Sequence, residues 1–182
     1  LRSLERVFKK KQLTEHFKET ATRSYPDWIS GSAIFISKDN FDLIDKWNED
    51  YWMYFEDVDL CKKAQDINLP CVITKEVSLF HLHGGASRVN PKTKAITKSE
   101  VIKSRHVYIS NHFSAVNQQW LHPLLMTNNM FSVGIFAILS FPLFFLKKLK
   151  VNKYKFLELY SYYNTALKHK TWLSYRSTNF KF

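Results

Sequence analysis

Three carboxylates fall within four positions of this chain, Glu56, Asp57 and Asp59, and two histidines, His81 and His83, follow further on. A held carboxylate can take the proton from a hydroxyl as that hydroxyl attacks. Carboxylate and imidazole are also donors to divalent cations, which can neutralise a leaving group that gains negative charge. Each feature has an ordinary alternative. Acids at a helix start complement the positive end of the dipole and cap free N–H groups. A histidine in a strand is commonly a packed or surface residue. Spacing alone leaves both alternatives open.

The elements that would position these groups can be read from periodicity. Tyr51-Trp52-Met53-Tyr54-Phe55 is an apolar, aromatic run that ends where the acids begin, and it predicts a short buried segment. Behind the acids, Leu60, Cys61, Ala64 and Ile67 recur at helical spacing, so a helix is expected to start near Glu56 or Asp57. Ahead of them, Trp28 to Ser37 reads as a strand with Ala33 to Ile36 as its buried end. Gly31 interrupts that strand, which often marks a bulge or a close backbone approach. Ser37 to Asn40 offers caps for a short helix that includes Phe41, Ile44 and Asp45. Asn68-Leu69-Pro70 is a turn, and Cys71 to Thr74 is a run of strand formers. Val77, Leu79, His81 and His83 then alternate with Ser78, Phe80 and Leu82, and as a strand they would place both histidines on one side. A helix is expected from Lys98 to about Gln119, carrying Arg105 and His106, and another in the tail through Tyr154, Leu157, Tyr160, Ser161 and Asn164.

Three blocks occur in order: Trp28-Ile29-Ser30-Gly31-Ser32-Ala33-Ile34-Phe35-Ile36-Ser37, then Asn48-Glu49-Asp50-Tyr51-Trp52-Met53-Tyr54-Phe55-Glu56-Asp57-Val58-Asp59-Leu60, then His81-Leu82-His83-Gly84-Gly85-Ala86-Ser87. Together they resemble the second half of the catalytic domain of family-2 glycosyltransferases, most closely the bacterial rhamnosyltransferase-like members. The resemblance covers about a third of the chain. It implies an α/β fold, the C-terminal half of a GT-A domain over residues 1–118, followed by a helical, membrane-proximal tail over 119–182. The family's glycine-rich turn before the second block is replaced here by Asp45-Lys46-Trp47-Asn48-Glu49, with no glycine.

The same resemblance implies inverting transfer of a sugar from a nucleotide-sugar donor to a surface polysaccharide or lipid-linked glycan, with rhamnose as the subfamily's sugar. Asp57 would be the general base, from the family's "ED" pair, and Glu56 would assist or orient the acceptor. Trp28, Gly31, Ser32, Tyr54, Gly85 and Ser87 would line the substrate pocket. His81 or His83 would complete a site for Mg²⁺ or Mn²⁺, or touch the diphosphate. Asp59 reads instead as a cap or ion-pair partner. The donor-binding βαβ half and its acidic metal motif have no counterpart before Trp28, and Asp57-Val58-Asp59 has the DxD letters in the wrong block. The chain is therefore expected to be a piece of a transferase, or a degenerate one, inactive alone. The alternative is a non-catalytic, basic, membrane-peripheral binding domain.

Composition limits the partners. The chain has 182 residues, 45% of them hydrophobic, with a net charge of +11, enough apolar surface for a real core and a basic exterior suited to anionic partners. From Met130 through Leu146 there is no charge, and Lys147-Lys148-Leu149-Lys150 closes the run. A span needs about 20 apolar residues, so this run is a short span, an interfacial helix or a buried hairpin. Lysines beside it favour the anionic inner face of a cell membrane. Nucleic acid is not expected, for no recognition signature accompanies the basic tail. Cys61 and Cys71 form no CxxC pair, which fits a reduced, cytosolic setting. The charged N-terminus does not read as a signal peptide, and the absence of an initiating Met suggests a fragment.

Overall fold

The acids do open a helix, but the sheet expected around them is reduced to a ribbon. The structure is a computed structural model that describes residues 20–81, 89–140, 142 and 147–181. Among them are two short strands, β1 (Arg23–Ser24) and β2 (Ile73–Thr74), and five helices: α1 (Lys38–Leu43), α2 (Glu56–Asp66), α3 (Pro91–His112), α4 (Ala115–Leu139) and α5 (Lys147–His169). The chain is mostly helical, and the α/β expectation holds only as this antiparallel pair, in which Arg23 faces Thr74 and Ser24 faces Ile73. Two compact units form, one from residues 1–48 and 56–81 and the other from 49–55 and 82–182.

The first unit contains both strands and the helices α1 and α2. Ser37 caps α1 by accepting from the Asn40 N–H, as its position before Lys38 suggests. The helix stops because Asp45 and Lys46 both take positive φ, 56° and 50°. These are the positions where glycine was missing from the expected turn. The Lys63 ammonium steadies them by donating to both of their carbonyl oxygens, at 3.1 and 2.8 Å. α2 ends at Asn68, also at positive φ (63°), with Leu69 N–H returning to the Ala64 carbonyl. Ile44, Leu60 and Ala64 form the small core, with Ile34, Phe41 and Leu69 packed against it.

Two strand expectations are corrected here. Residues 28–37 are irregular rather than a strand, and the supposed buried end is open, with Phe35 94% exposed. Residues 77–81 are likewise outside any described strand, and the rest of that expected strand, with His83, lies outside the described residues. Strand propensity is realised only where a neighbouring strand supplies hydrogen bonds. β2 has such a neighbour for two residues only.

The second unit is a three-helix bundle. Asn90 caps α3 by accepting from Thr93 N–H, and Pro91 occupies the first turn. The helix expected over Lys98–Gln119 is in fact two helices, for Phe113 is extended and Ser114 caps α4. Ile102 of α3, Val133 of α4, and Leu159, Tyr162, Tyr163 and Ala166 of α5 form the core, joined by Trp172 from the tail. The tail helix is present, with Leu157 and Tyr160 exposed and Leu159, Tyr162 and Tyr163 buried.

The aromatic run Tyr51–Phe55 belongs to this second unit. Ser104 of α3 donates to the Met53 carbonyl, and Ser177 of the C-terminal tail donates to the Glu49 carbonyl, each at 2.9 Å. Tyr51 is buried, and Arg176 stands over the Trp52 ring. The C-terminal tail thus holds a segment that lies far from it in the sequence.

Candidate functional site

The start of α2 gathers two of the three resembled blocks. Gly31 N–H donates to Asp57 Oδ2 at 2.9 Å, across 26 positions of sequence. Asp57 Oδ1 accepts from the Val58 N–H, also at 2.9 Å. Each carboxylate oxygen therefore holds one backbone donor and keeps lone-pair capacity for another. The carboxyl group is half-buried and fixed in direction. A Cβ added at Gly31 would lie 3.4 Å from Asp57 Cβ, so the glycine backbone and the aspartate are already in van der Waals contact.

Glu56 differs from its neighbour. Its Oε2 is buried and has no hydrogen-bond partner among the described residues. Burial raises its pKa, a backbone hydrogen bond opposes this, and the Asp57 charge adds to the rise. Asp59 is fully buried, 3.9 Å from the Lys63 ammonium, in the ion-pair role expected of it.

Two residues immediately before the acids carry backbone strain. Tyr54 and Phe55 have φ of 68° and 72°, in the left-handed region that non-glycine residues rarely adopt. Two such residues in succession persist only where surroundings hold them, and they concentrate at functional sites. The Phe55 ring meets the edge of Tyr108 at 5.8 Å, one of the contacts that hold them.

The other nominated residues are less assembled. Trp28 is 38% exposed, and Ser32 is exposed with its hydroxyl paired to that of Ser30 at 2.9 Å. Tyr54 is half-buried, and His81 lies exposed in the unpaired chain that follows β2. His83, Gly85 and Ser87 lie outside the described residues. Among the described residues no three His, Cys, Asp or Glu side chains gather closely enough to hold a metal ion. Of the two histidines named for Mg²⁺ or Mn²⁺, His81 joins no such group among the described residues, and His83 lies outside them.

Three features were not legible in the sequence. The first is a pair of buried histidines. His106 Nδ1 and His122 Nδ1 are 2.9 Å apart, and Trp172 stacks on both rings at 4.6 and 4.3 Å. The partners at the ends of the pair fix the direction of the chain. Ser110 Oγ gives its proton to the His106 carbonyl, so it accepts from His122 Nε2–H. His122 Nδ1 then accepts from His106 Nδ1–H, and His106 Nε2 accepts from the Tyr163 hydroxyl at 3.2 Å. Burial, then the neighbouring ring, lowers the pKa of His106 to about 3, and burial lowers that of His122 to about 4. Burial therefore favours the neutral form of both rings.

The second is a buried charge lattice. Lys103 donates to Glu100 and Glu158 at 2.8 Å each, and Arg176 donates to the same two carboxylates, with Tyr175 adding to Glu158. Burial alone would raise Glu158, but the donors from Arg176, Lys103 and Tyr175 bring it down to about 2. A shallow cleft of about 320 Å³ on this unit, between α3 and α5, is lined by Lys92, Ala95, Ile96, Tyr154, Leu157 and Glu158, none of them nominated from the sequence.

The third is the outer face of α4. Val116, Trp120, Leu124, Phe131 and Ile138 are all about two-thirds exposed or more. The opposite face buries His122, Leu125, Asn129, Val133 and Ala137. By length and composition Ala115–Leu139 is apolar enough to cross a membrane, with 22% of its most apolar window buried inside the protein. No family model, curated protein or solved structure matches this chain.

Proposed function

We propose that this chain is the acceptor side of an inverting sugar transferase, working at the inner face of a membrane, with Asp57 as the proton acceptor. The observation that carries this reading is the hydrogen bond from Gly31 N–H to Asp57 Oδ2, which joins two of the three resembled blocks. In the proposed reaction the acceptor hydroxyl donates to a free lone pair of Asp57. Its oxygen attacks the anomeric carbon of a nucleotide-linked sugar, the proton passes to the carboxylate, and the nucleoside diphosphate leaves. Two backbone donors keep Asp57 aimed, which supports a base whose contribution is largely position. Glu56, next to Asp57 at the start of α2, is the residue assigned to assist or orient the acceptor. The described residues supply no ligand set for a divalent cation, so the chemistry assigned to this chain is the proton transfer.

Two further observations support the setting. Phe35, Val77, Leu79 and Phe80 of the first unit are each two-thirds or more exposed, apolar side chains of the kind that a donor-binding half would cover. The outer face of α4 offers apolar anchors, and the charge of Lys155 is disfavoured by burial and by repulsion from Lys98 and Arg105, which marks a local concentration of cations. An apolar face on a basic helical unit suits an interfacial position on anionic lipid.

The same α4 face is what a non-catalytic, membrane-peripheral binding domain would use, so the second reading needs its own test. Asp57→Asn in the complete protein decides between them. Loss of about 10²–10⁴-fold in sugar transfer is expected for removal of a general base. Transfer close to the wild-type rate would exclude Asp57 as the base and leave the binding reading.

A further inference from the structure

The cleft of about 320 Å³ between α3 and α5 lies wholly within the second unit and takes no part in the proton transfer assigned to Asp57. Glu158 lines it. The donors from Lys103, Arg176 and Tyr175 all converge on one carboxyl oxygen, Oε1. Among the described residues Oε2 takes no hydrogen bond, and it is the oxygen left to the cleft. The carboxylate is held in orientation, because α3 and the C-terminal tail fix its other half.

The charge of Glu158 is already answered. Lys103 and Arg176 meet Glu100 and Glu158, two cations against two carboxylates, so the lattice has no net charge to offer a cation. Oε2 keeps its lone pairs and can accept from a neutral donor. The exposed ammonium of Lys92 lines the same cleft; it donates, cannot accept, and repels a ligand ammonium. The oxygens of an anion would face Oε2, acceptor against acceptor. Both groups are satisfied by a ligand that donates and accepts from adjacent atoms, as vicinal hydroxyls do. The rest of the lining is Ala95, Ile96, Leu157 and the half-buried Tyr154. Such a surface takes the C–H face of a ring, and the negative face of the Tyr154 π system attracts those hydrogens.

We propose that this cleft binds a neutral pyranose ring, as a unit of a glycan, with a hydroxyl donating to Glu158 Oε2, a neighbouring hydroxyl accepting from Lys92, and the C–H face of the ring against Tyr154. The volume stands at the lower end of small-ligand clefts, which run from about 300 Å³. A single ring in so shallow a site makes few contacts, so millimolar affinity is expected, and the use of the site is to hold a longer glycan by one of its units. The proposal concerns binding alone and does not rest on the transferase reading. A chain that transfers no sugar would still have this site.

The test is a titration of the intact chain, followed by its amide NMR signals, with the methyl glycosides of glucose, galactose, mannose and rhamnose, each taken to tens of millimolar. Saturable shifts at residues 92–96 and 154–158 are expected with at least one of the four. No shift at those residues is expected with sorbitol, an open-chain polyol, or with inorganic phosphate. Glu158→Gln would disturb the charge lattice, so the variants are Tyr154→Ala and Lys92→Met, both outside the described core cluster. Tyr154→Ala should weaken the binding about tenfold, and Lys92→Met about threefold or more. No shift with any of the four glycosides, or shifts confined to other residues, would overturn the site. An equal response to sorbitol would overturn the ring, and unaltered affinity in Tyr154→Ala would overturn the stacking. A stronger response to phosphate at the same residues would replace the neutral ligand by an anion. The wild-type titration stands even if a variant fails to fold.

Discussion

His106 donates its Nδ1 proton to His122 Nδ1 across 2.9 Å, and the pair is covered on one face by Trp172. The geometry has room for one proton between the two nitrogens. His106 can take a further proton only at Nε2, which removes the acceptor of the Tyr163 hydroxyl, and His122 only at Nδ1, inside the bridge. A second proton between the rings would set two N–H groups against each other.

A pH dependence of stability follows. Both folded-state histidine pKa values, about 3 and about 4, lie below the ordinary 6.5. The unfolded chain binds protons first, so this stability is complete above about pH 6.5 and is lost as pH falls toward 4 and 3. Glu158 acts in the same direction at lower pH, for its value of about 2 lies below the ordinary 4.5, and its contribution is lost between them. Thermal unfolding across pH 3 to 8 should show a falling Tm below neutrality. His122→Asn should flatten the upper part of that fall. A Tm constant between pH 7 and 4.5 would contradict the neutral pair.

The charge lattice predicts a large local effect. Lys103 and Glu100 are both fully buried, and Lys103→Met would leave the two carboxylates with Arg176 as their one remaining cationic partner in the lattice. Breaking a buried pair on one side costs about 3–5 kcal/mol. Urea unfolding of Lys103→Met should show a loss in that range. Loss of less than about 1 kcal/mol, the scale of an exposed pair, would mean the lattice is open to water.

Gly31 can be graded by size. An added Cβ meets Asp57 at ordinary contact distance, 3.4 Å, so Gly31→Ala should fold and keep most of the activity. Gly31→Val adds two further carbons against the same neighbour, and overpacking costs about 1–3 kcal/mol or displaces the carboxylate. Under the transferase reading, kcat should fall in Gly31→Val more than in Gly31→Ala. Equal rates in the two variants would show that the contact does not govern Asp57.

The outer face of α4 can be tested without touching the core. Leu124 and Phe131 are 66% and 72% exposed, so Leu124→Glu and Phe131→Glu should leave the folded state intact. Burying one such side chain in lipid is worth about 1.5–3 kcal/mol, so each change should weaken binding to phosphatidylglycerol vesicles about tenfold or more. Binding unaltered in the double variant would remove this face from the membrane contact.

The sequence alone determined what local chemistry decides. The capping signal at Ser37, the helix opening at Glu56 and the turn at Asn68 are each written in a few neighbouring residues, and each is present in the fold; of the uncharged run Met130–Leu146, the part through Leu139 lies in α4. The acids at the head of α2 were legible for the same reason. Local pattern also misled where an outcome depends on a distant partner. Residues 28–37 and 77–81 have strand-forming side chains, but among the described residues no strand lies beside them and they take no strand structure. Only the tertiary structure could decide which Asp57 oxygen Gly31 reaches, that His106 meets His122, or that the C-terminal tail holds the segment leading into Tyr51–Phe55. These are contacts between residues separated by 16 to 128 positions. Periodicity tells which way a side chain faces from its own helix; what it meets there depends on how the elements pack.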